Sequence, residues 1–470
     1  MLLVVVFLGF GVLLGNVASS RVNATLASAR GPVKLLLPAS GASATTSPSG
    51  SSTSESSSQP TSETPSVEAE PTPAPAAQKS APAAKTPSSS SGSSGASAEE
   101  GSGSEAGSGG PEGGSSEAAA DTPAKKLPPI KHVFVIMLAD EPYASVFGPA
   151  STAPYLTQTL EHKGELLTHY DAVAHDGLAD GAALISGQGP TAETAANCPN
   201  YTEVASTGTG PQEQVLGSGC VYPAATQTLA GQLTAKHLTW RAYIEGIDEG
   251  GALGTCPHPA IGQADASASE VASSGPYATF RNPFVYFSAI TGTPQCAADD
   301  VGLDKLEVDL ASAKSTPSFS YIVPDRCHDG NPTPCSAGAA AGLAPAQTFL
   351  KQVVPEIMSS KAYEESGLLV ITVDQAPSSG AFADSSSCCG QPLFPNAPAK
   401  TLTGAPSGGG TVGALLLSPY LKGDATSQEP YNHFSLLRTI ENLFGLSHLG
   451  YAALSAVKSF EPEMFTVGKS

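Results

Sequence analysis

The sequence predicts an α/β fold, a three-layer sandwich with a mostly parallel central sheet, for residues 127–470. Residues 130–138 and 367–373 are short apolar runs rich in β-branched side chains, which is typical of strands buried on both faces of a sheet. Segments with apolar residues at helical spacing alternate with such runs along this part of the chain. Alternation of this kind favours strand–helix–strand units around a parallel sheet.

The remaining elements of this domain follow from the same patterns. Further strands are indicated by short aromatic or β-branched runs at residues 239–243, 284–287, 319–323 and 413–417. Helices are indicated by apolar residues three and four positions apart at residues 153–164, 229–237, 346–360 and 434–444. Another helix is predicted to begin near Asp180 or Gly181, after a polar loop.

The first 126 residues are predicted to lie outside this domain. Residues 1–20 are apolar, and a helix of 18 of them would span roughly 27 Å, close to the thickness of a bilayer core. A signal peptide and an uncleaved membrane anchor both fit, and the absence of basic residues ahead of the apolar run favours the anchor. Residues 21–126, dominated by Ser, Ala, Pro and Gly, are predicted to be a disordered linker. Either reading places the domain outside the cytoplasm, secreted or anchored to the cell membrane.

Charge and cysteine content restrict the possible functions. The chain has 42 acidic and 22 basic side chains, a formal net charge of −20 that argues against nucleic-acid binding. All eight cysteines fall within residues 127–470, and an even number in an exported domain indicates disulfides. Cys198 with Cys220 and Cys327 with Cys335 are the predicted local pairs. Paired CxxC motifs are missing from the sequence, which argues against a zinc ribbon.

Polar side chains follow three of the predicted strands. Asp140 follows residues 130–138, Asp374 follows residues 367–373, and a cluster from Asp325 to Asp329 follows residues 319–323. Because ligands bind at the carboxyl ends of parallel strands, we expect these groups to converge. Taken alone, each residue is better explained as a helix cap or turn residue. The joint pattern, with His433 at the start of a predicted helix, suits a divalent metal ion such as Mg²⁺, Mn²⁺, Ca²⁺ or Zn²⁺.

These motifs resemble the bacterial phosphoesterase family that includes phospholipase C-like enzymes and acid phosphatases, within the alkaline phosphatase superfamily. The resemblance extends from residue 130 to residue 453. Its most specific segments are residues 131–148, 185–188, 197–199, 281–287, 369–374, 387–390 and 430–450. It implies an alkaline phosphatase-like fold, and it implies that Asp140, Asp329, Asp374 and His433 are the metal ligands.

The resemblance also exposes departures from the family pattern. Gly177 stands where the family has a nucleophilic hydroxyl residue, and glycine has no group that could form the family's covalent intermediate. In its place Asp176 and Asp180 are the candidate catalytic residues, which would orient a metal-activated water. Arg281 stands where many relatives have His, Asn331 replaces another family His, and Gln375 follows Asp374 where the family has Glu.

Two functions therefore remain open. The first is a metal-dependent phosphoesterase acting on a phosphate-ester small molecule or a lipid-type substrate. The second is a catalytically inactive relative that serves as a surface binding or structural module. A third reading is a sulfatase-like or phosphopentomutase-like relative on the same superfamily scaffold. The sulfatase motif Cys-x-Pro-x-Arg is missing, although Cys198 and Pro199 begin similarly, which argues against a sulfatase.

Overall fold

The computed structural model describes residues 127–248, 255–268, 275–397 and 408–466. All of them belong to one compact unit, Gly113–Ser470. The proposed N-terminal anchor, residues 1–20, and the proposed linker, residues 21–126, lie outside the described residues. Among the described residues, no helix combines the length and apolar character that crossing a membrane requires.

The strands in chain order are β1 (His132–Leu138), β2 (Glu165–Leu167), β3 (Tyr170–Asp171), β4 (Asn200–Tyr201), β5 (Ala205–Thr209), β6 (Val215–Ser218), β7 (Trp240–Ile244), β8 (Gln263–Ala264), β9 (Asp300–Gly302), β10 (Phe319–Val323), β11 (Gly367–Val373), β12 (Ala414–Leu417), β13 (Ala425–Ser427) and β14 (Tyr431–Asn432). The α-helices are α1 (Tyr143–Val146), α2 (Gly177–Ser186), α3 (Leu229–Ala235), α4 (Ser288–Thr291), α5 (Pro294–Asp299), α6 (Lys305–Leu310), α7 (Leu343–Met358), α8 (Lys361–Ser366) and α9 (His433–Phe444). Shorter helical turns occur at Leu156–Leu160, Glu161–Lys163, Thr194–Ala196, Pro211–Glu213, Thr279–Arg281, Pro283–Tyr286, Gly450–Ala453 and Pro462–Met464.

An eight-stranded sheet organises the domain, in the order β13-β2-β12-β11-β1-β10-β7-β9. The central strands β11, β1, β10 and β7 run parallel to one another, and β9 continues this direction. Strand β12 is antiparallel to both of its neighbours, β11 and β2. The predicted α/β architecture with a mostly parallel central sheet is therefore confirmed.

Strands β1 and β11 form the centre of this sheet. They pair in parallel along their full lengths, from His132 opposite Gly367 to Leu138 opposite Val373. Every residue of both strands is buried. Apolar side chains on both faces of these strands are what a sheet covered by helices on each side requires. The same alignment brings the carboxyl ends of the two strands to one edge, where Asp140 and Asp374 follow.

Two predicted elements differ from the structure. Residues 284–287 are not a strand, because Pro283–Tyr286 forms a helical turn with the proline at its first position, where its fixed φ suits a helix start. Their aromatic side chains are buried by packing on the sheet, with Phe284 stacked on Trp240 at 4.9 Å. The helix predicted to begin near Asp180 or Gly181 begins earlier, at Gly177. Residues 154–163 are helical as predicted, with a π-helical turn at Leu156–Leu160 followed by a 3₁₀ turn at Glu161–Lys163. In residues 284–287 the apolar pattern reports burial and not the type of backbone.

Disulfides connect the loops outside the sheet. The predicted pairs Cys198–Cys220 and Cys327–Cys335 are both present. Two further bridges join Cys256 to Cys296 and the neighbouring residues Cys388 and Cys389. Several disulfides in one domain are consistent with an extracellular protein.

Candidate active site at the carboxyl edge of the sheet

Three aspartates meet at the carboxyl ends of β1, β10 and β11. Asp374 follows β11 directly, Asp140 lies two residues after the end of β1, and Asp329 lies in the loop after β10. The backbone N–H of Asp140 donates to Oδ1 of Asp374 at 3.0 Å, so the two strand ends are joined through the carboxylate. The side chains of Asp329 and Asp374 are only 2% and 4% exposed. Buried carboxylates need a compensating positive charge or several hydrogen bonds.

Arg281 supplies that positive charge. Its Nη1 donates to Oδ2 of Asp374 at 2.9 Å. Its Nε lies 3.0 Å from Oδ2 of Asp329, and its Nη2 lies 3.7 Å from Oδ2 of Asp140. The guanidinium is 5% exposed and comes from the helical turn Thr279–Arg281. All three carboxylates are therefore arranged around one guanidinium, whose fixed fork of donors suits several acceptors at once.

Neutral amides complete the surroundings of Asp140. Its Oδ1 accepts a hydrogen bond from Nε2 of Gln375, and its Oδ2 accepts one from Nδ2 of Asn331. Gln375 and Asn331 occupy positions where the family has Glu and His. An amide donates a hydrogen bond to a carboxylate, whereas a glutamate would repel it. These two replacements are thus consistent with an Asp140 carboxylate that is held by hydrogen bonds from neutral amides.

His433 begins α9 and is fully buried. Its Nε2 lies 3.0 Å from the backbone carbonyl of Asp374, which can only accept, so Nε2 carries the proton. Its Nδ1 then accepts from the hydroxyl of Tyr170 at 2.9 Å. Burial lowers the pKa of His433 to about 4, so the imidazole is neutral at pH 7. Because both ring nitrogens are engaged, His433 has no free lone pair for a metal.

The two candidate catalytic residues lie on or beside α2. Asp180 is fully buried, and its Oδ1 accepts from the N–H groups of Val173 at 2.7 Å and Ala174 at 3.2 Å. Burial, together with the charge of Asp374, raises the pKa of Asp180 well above its usual range. The side chain of Asp180 therefore links α2 to the backbone of Val173 and Ala174 in the interior of the domain. Asp176, directly before α2, is partly exposed, and its N–H donates to Oε1 of Gln375.

Gly177, the first residue of α2, has no room for a side chain. A Cβ atom placed there would lie 2.3 Å from Oδ2 of Asp374, the same oxygen that accepts from Arg281. A serine at residue 177 would displace this carboxylate from the guanidinium. The space that a nucleophile would need is thus occupied by the ion-pair cluster.

Members of the alkaline phosphatase superfamily are typically metal-dependent, so the fit of a divalent ion must be tested. Within the described ranges, two groups of three ligand-type side chains have their ligand atoms within 4.8 Å of one another: Cys256, Cys296 and Asp300, and Glu245, Asp325 and His328. None of the four predicted ligands belongs to either group. The guanidinium of Arg281 lies where the three carboxylates converge, and His433 offers no lone pair. The residues at the predicted centre therefore do not fit a divalent cation.

Sequence reasoning identified the converging aspartates but missed the role of Arg281. Its only sequence signal was an arginine at a position where many relatives have His. The hydrogen bonds from Gln375 and Asn331 were also missed. Their signal was the exchange of a family Glu and His for amides, which removes potential ligands and adds donors.

Comparison with known proteins supports the fold. The model of the Phosphoesterase family matches residues 131–447. No curated protein sequence matches this chain at a significant level.

Solved structures that resemble this chain do so at low sequence identity. A protein of the alkaline phosphatase superfamily from Vibrio parahaemolyticus is 12% identical, with a TM-score of 0.39, covering 71% of this chain and 70% of its own. A phosphonate monoester hydrolase from Silicibacter pomeroyi is 10% identical, with a TM-score of 0.38 and coverage of 72% and 77%. A lipoteichoic acid synthase from Listeria monocytogenes is 9% identical, with a TM-score of 0.38 and coverage of 72% and 76%. Similarity at this level carries no argument about activity.

Proposed function

This chain belongs to the Phosphoesterase family, and from that premise we propose that it is a member that does not hydrolyse phosphate esters at the carboxyl edge of its sheet, a tethered surface domain outside the cytoplasm. The chemistry of the family is hydrolysis of ester bonds at the carboxyl edge of the sheet. In this chain that edge carries an arginine–carboxylate cluster. The domain keeps the scaffold of the family without the charge arrangement that a metal-dependent hydrolysis needs.

The single observation that carries this proposal is the position of Arg281. The guanidinium contacts Asp374 at 2.9 Å and Asp329 at 3.0 Å, and these are the carboxylates expected to hold the ion. A guanidinium neutralises them but cannot supply a coordinated hydroxide as a metal ion does. Gly177 removes the covalent alternative, because glycine offers no nucleophile.

The location of the protein outside the cytoplasm is supported by two independent features. The sequence begins with an apolar segment of membrane-spanning length, followed by a linker poor in apolar residues. The domain contains four disulfides among its described residues, which form and persist in oxidising compartments.

Metal-dependent hydrolysis of a phosphate ester is the competing function. It is supported by the convergence of Asp140, Asp329 and Asp374 at one edge of the sheet. For it to operate, Arg281 would have to leave the three carboxylates, and His433 would have to break its hydrogen bond to Tyr170 or to the Asp374 carbonyl. The competing function therefore requires the loss of several buried contacts.

The two functions are separated by metal content and turnover of the full chain. The protein is purified without chelators, its metal content is measured, and hydrolysis of p-nitrophenyl phosphate and bis(p-nitrophenyl) phosphate is followed with Mg²⁺, Mn²⁺, Ca²⁺ or Zn²⁺ added. We expect far less than one metal per chain and a rate equal to that of Asp374→Asn. Stoichiometric metal, with turnover that Asp374→Asn abolishes, would overturn the proposal.

A further inference from the structure

A serine and a histidine outside the ion-pair cluster lie within hydrogen-bonding distance. Nε2 of His175 is 2.9 Å from Oγ of Ser385. His175 lies two residues before Gly177, and Ser385 is an exposed residue of the loop that follows β11. The hydroxyl of Ser385 is therefore accessible, while the imidazole beside it is partly buried.

The second nitrogen of the ring fixes the tautomer. Nδ1 of His175 lies 3.2 Å from the backbone carbonyl of Ala376, and a carbonyl can only accept a hydrogen bond. Nδ1 therefore carries the proton, and the lone pair of Nε2 faces the Ser385 hydroxyl. A hydroxyl that donates to an imidazole whose other nitrogen is held by a third group is the arrangement of an activated nucleophile.

We propose that Ser385 is a nucleophile and His175 its general base, and that the pair acts on neutral carboxylic esters. In the first step Oγ of Ser385 forms a bond to the carbonyl carbon while its proton passes to Nε2 of His175. The carbon–oxygen bond to the alcohol then breaks, and Nε2 returns the proton to the leaving alkoxide. Water, deprotonated by Nε2, attacks the acyl-serine, releases the carboxylic acid and restores the hydroxyl.

The surroundings of the pair favour a neutral substrate. Asp384 precedes Ser385, and the charge of its carboxylate acts on His175, so one negative charge lies near the pair. An anionic phosphate ester would be repelled by this charge and by the formal net charge of −20. Phe382, three residues before Ser385, is 60% exposed and offers an apolar surface for an alkyl or aryl group.

The protonation state of His175 agrees with this role. Burial lowers the pKa of His175, and this effect outweighs the opposing effects of the Ala376 carbonyl and the Asp384 carboxylate. The imidazole is therefore neutral at pH 7 and able to accept a proton. The contacts given above for His175 and Ser385 do not include Arg281. The proposal for this pair therefore does not depend on whether the ion-pair cluster binds a metal ion.

A neutral alkyl fluorophosphonate tests the pair on the full chain. Oγ of an activated serine displaces fluoride from such a probe, and the adduct is located by intact mass and peptide mapping. We expect one adduct per chain at Ser385, which is lost in Ser385→Ala. General base catalysis contributes about 10²–10⁴-fold, so His175→Ala should slow labelling by at least about 100-fold.

Ser386→Ala is the matched control. Ser386 is the next exposed serine of the same loop, but its hydroxyl bonds to Oδ1 of Asp384 and not to an imidazole. This variant should be labelled at the wild-type rate. His175→Gln, checked for an unchanged urea midpoint, replaces His175→Ala if that variant does not fold.

A second readout is a burst of p-nitrophenol from p-nitrophenyl acetate that requires Ser385. No adduct, an adduct on another residue, or labelling that is equally fast without His175 would show an ordinary hydrogen bond and overturn the inference. The metal and phosphate-ester assays above use other residues, so failure of either proposal is recognised separately.

Discussion

At the scale of single residues, Arg281 decides the character of the site. Three buried or half-buried carboxylates surround its guanidinium, and removing one partner of a buried ion pair leaves uncompensated charge. We predict that Arg281→Ala lowers the free energy of unfolding by about 3–5 kcal/mol, measured by urea denaturation at pH 7. We also predict that millimolar Mg²⁺ or Mn²⁺ raises the melting temperature of this variant but not that of the wild type.

Arg241→Ala is the control for this prediction. Arg241 also pairs with a carboxylate, its Nη1 lying 2.5 Å from Oδ2 of Asp309, but its side chain is 27% exposed. Its loss should cost about 1 kcal/mol or less, because solvent screens a partly exposed pair. An equal cost for the two variants, or a wild type that metal ions stabilise, would contradict the role given to Arg281.

Some features of this site could be predicted from the sequence and others could not. Convergence of Asp140, Asp329 and Asp374 could be predicted, because each follows a strand whose direction the sheet fixes. The sequence did not predict that the guanidinium of Arg281 occupies the space between these three carboxylates. Arg281 comes from a turn far away in the chain, and its direction depends on packing that no local pattern records. An arginine without a surrounding motif, in an acidic chain, was consistent with many surface positions.

At the scale of elements, side-chain composition predicted which segments are buried better than it predicted whether a buried segment is a strand or a helical turn. Strands β1 and β11 were recognised because β-branched apolar runs of this length fit a sheet interior. The aromatic run at residues 284–287 is equally buried but follows a proline, and it forms a helical turn. Burial is thus encoded by side-chain type, whereas the choice between strand and turn depended here on one backbone constraint.

The disulfides give a prediction at this scale. The Cys256–Cys296 bridge closes a sequence separation of 40 residues, and the Cys327–Cys335 bridge closes a separation of 8. Loop-closure entropy grows with the logarithm of this separation, so removing the longer bridge should destabilise the domain by roughly 1 kcal/mol more. The double alanine variants of each pair, compared by urea denaturation without reductant, measure this difference. A larger loss on removing the shorter bridge would show that native contacts, and not chain entropy, dominate.

At the scale of the whole molecule, acidic side chains lie in the interior of the domain as well as on its surface. Several carboxyl groups have a pKa raised by burial, among them Asp300 to about 7 and Glu441 to about 8. Both residues are fully buried. Oε1 of Glu441 accepts from the N–H of Leu449 at 2.8 Å, which only partly offsets the effect of burial.

These raised pKa values make the stability of the domain depend on pH. In the unfolded chain such groups release their protons near their ordinary pKa values of 3.8 and 4.5, whereas in the folded state they keep them up to about 7 or 8. The folded state therefore binds more protons between these values. Its free energy of unfolding should fall as pH rises from about 5 to 8. Three histidines have a lowered pKa and act in the opposite direction up to their ordinary pKa of 6.5, namely His175, His433 and His448, but among the described residues they are fewer than the carboxyl groups whose pKa is raised.

Glu441→Gln tests this prediction at its strongest point. The amide keeps an oxygen for the N–H of Leu449 but cannot ionise, so the fall in stability should become shallower by up to about 1.4 kcal/mol per pH unit. Urea denaturation at intervals between pH 5 and pH 8 measures the slope. Glu203→Gln, at an exposed position, should leave the slope unchanged. A wild type whose stability rises steadily over this range would show that the buried carboxyls are ionised in the folded state, and that hydrogen bonds outweigh their desolvation.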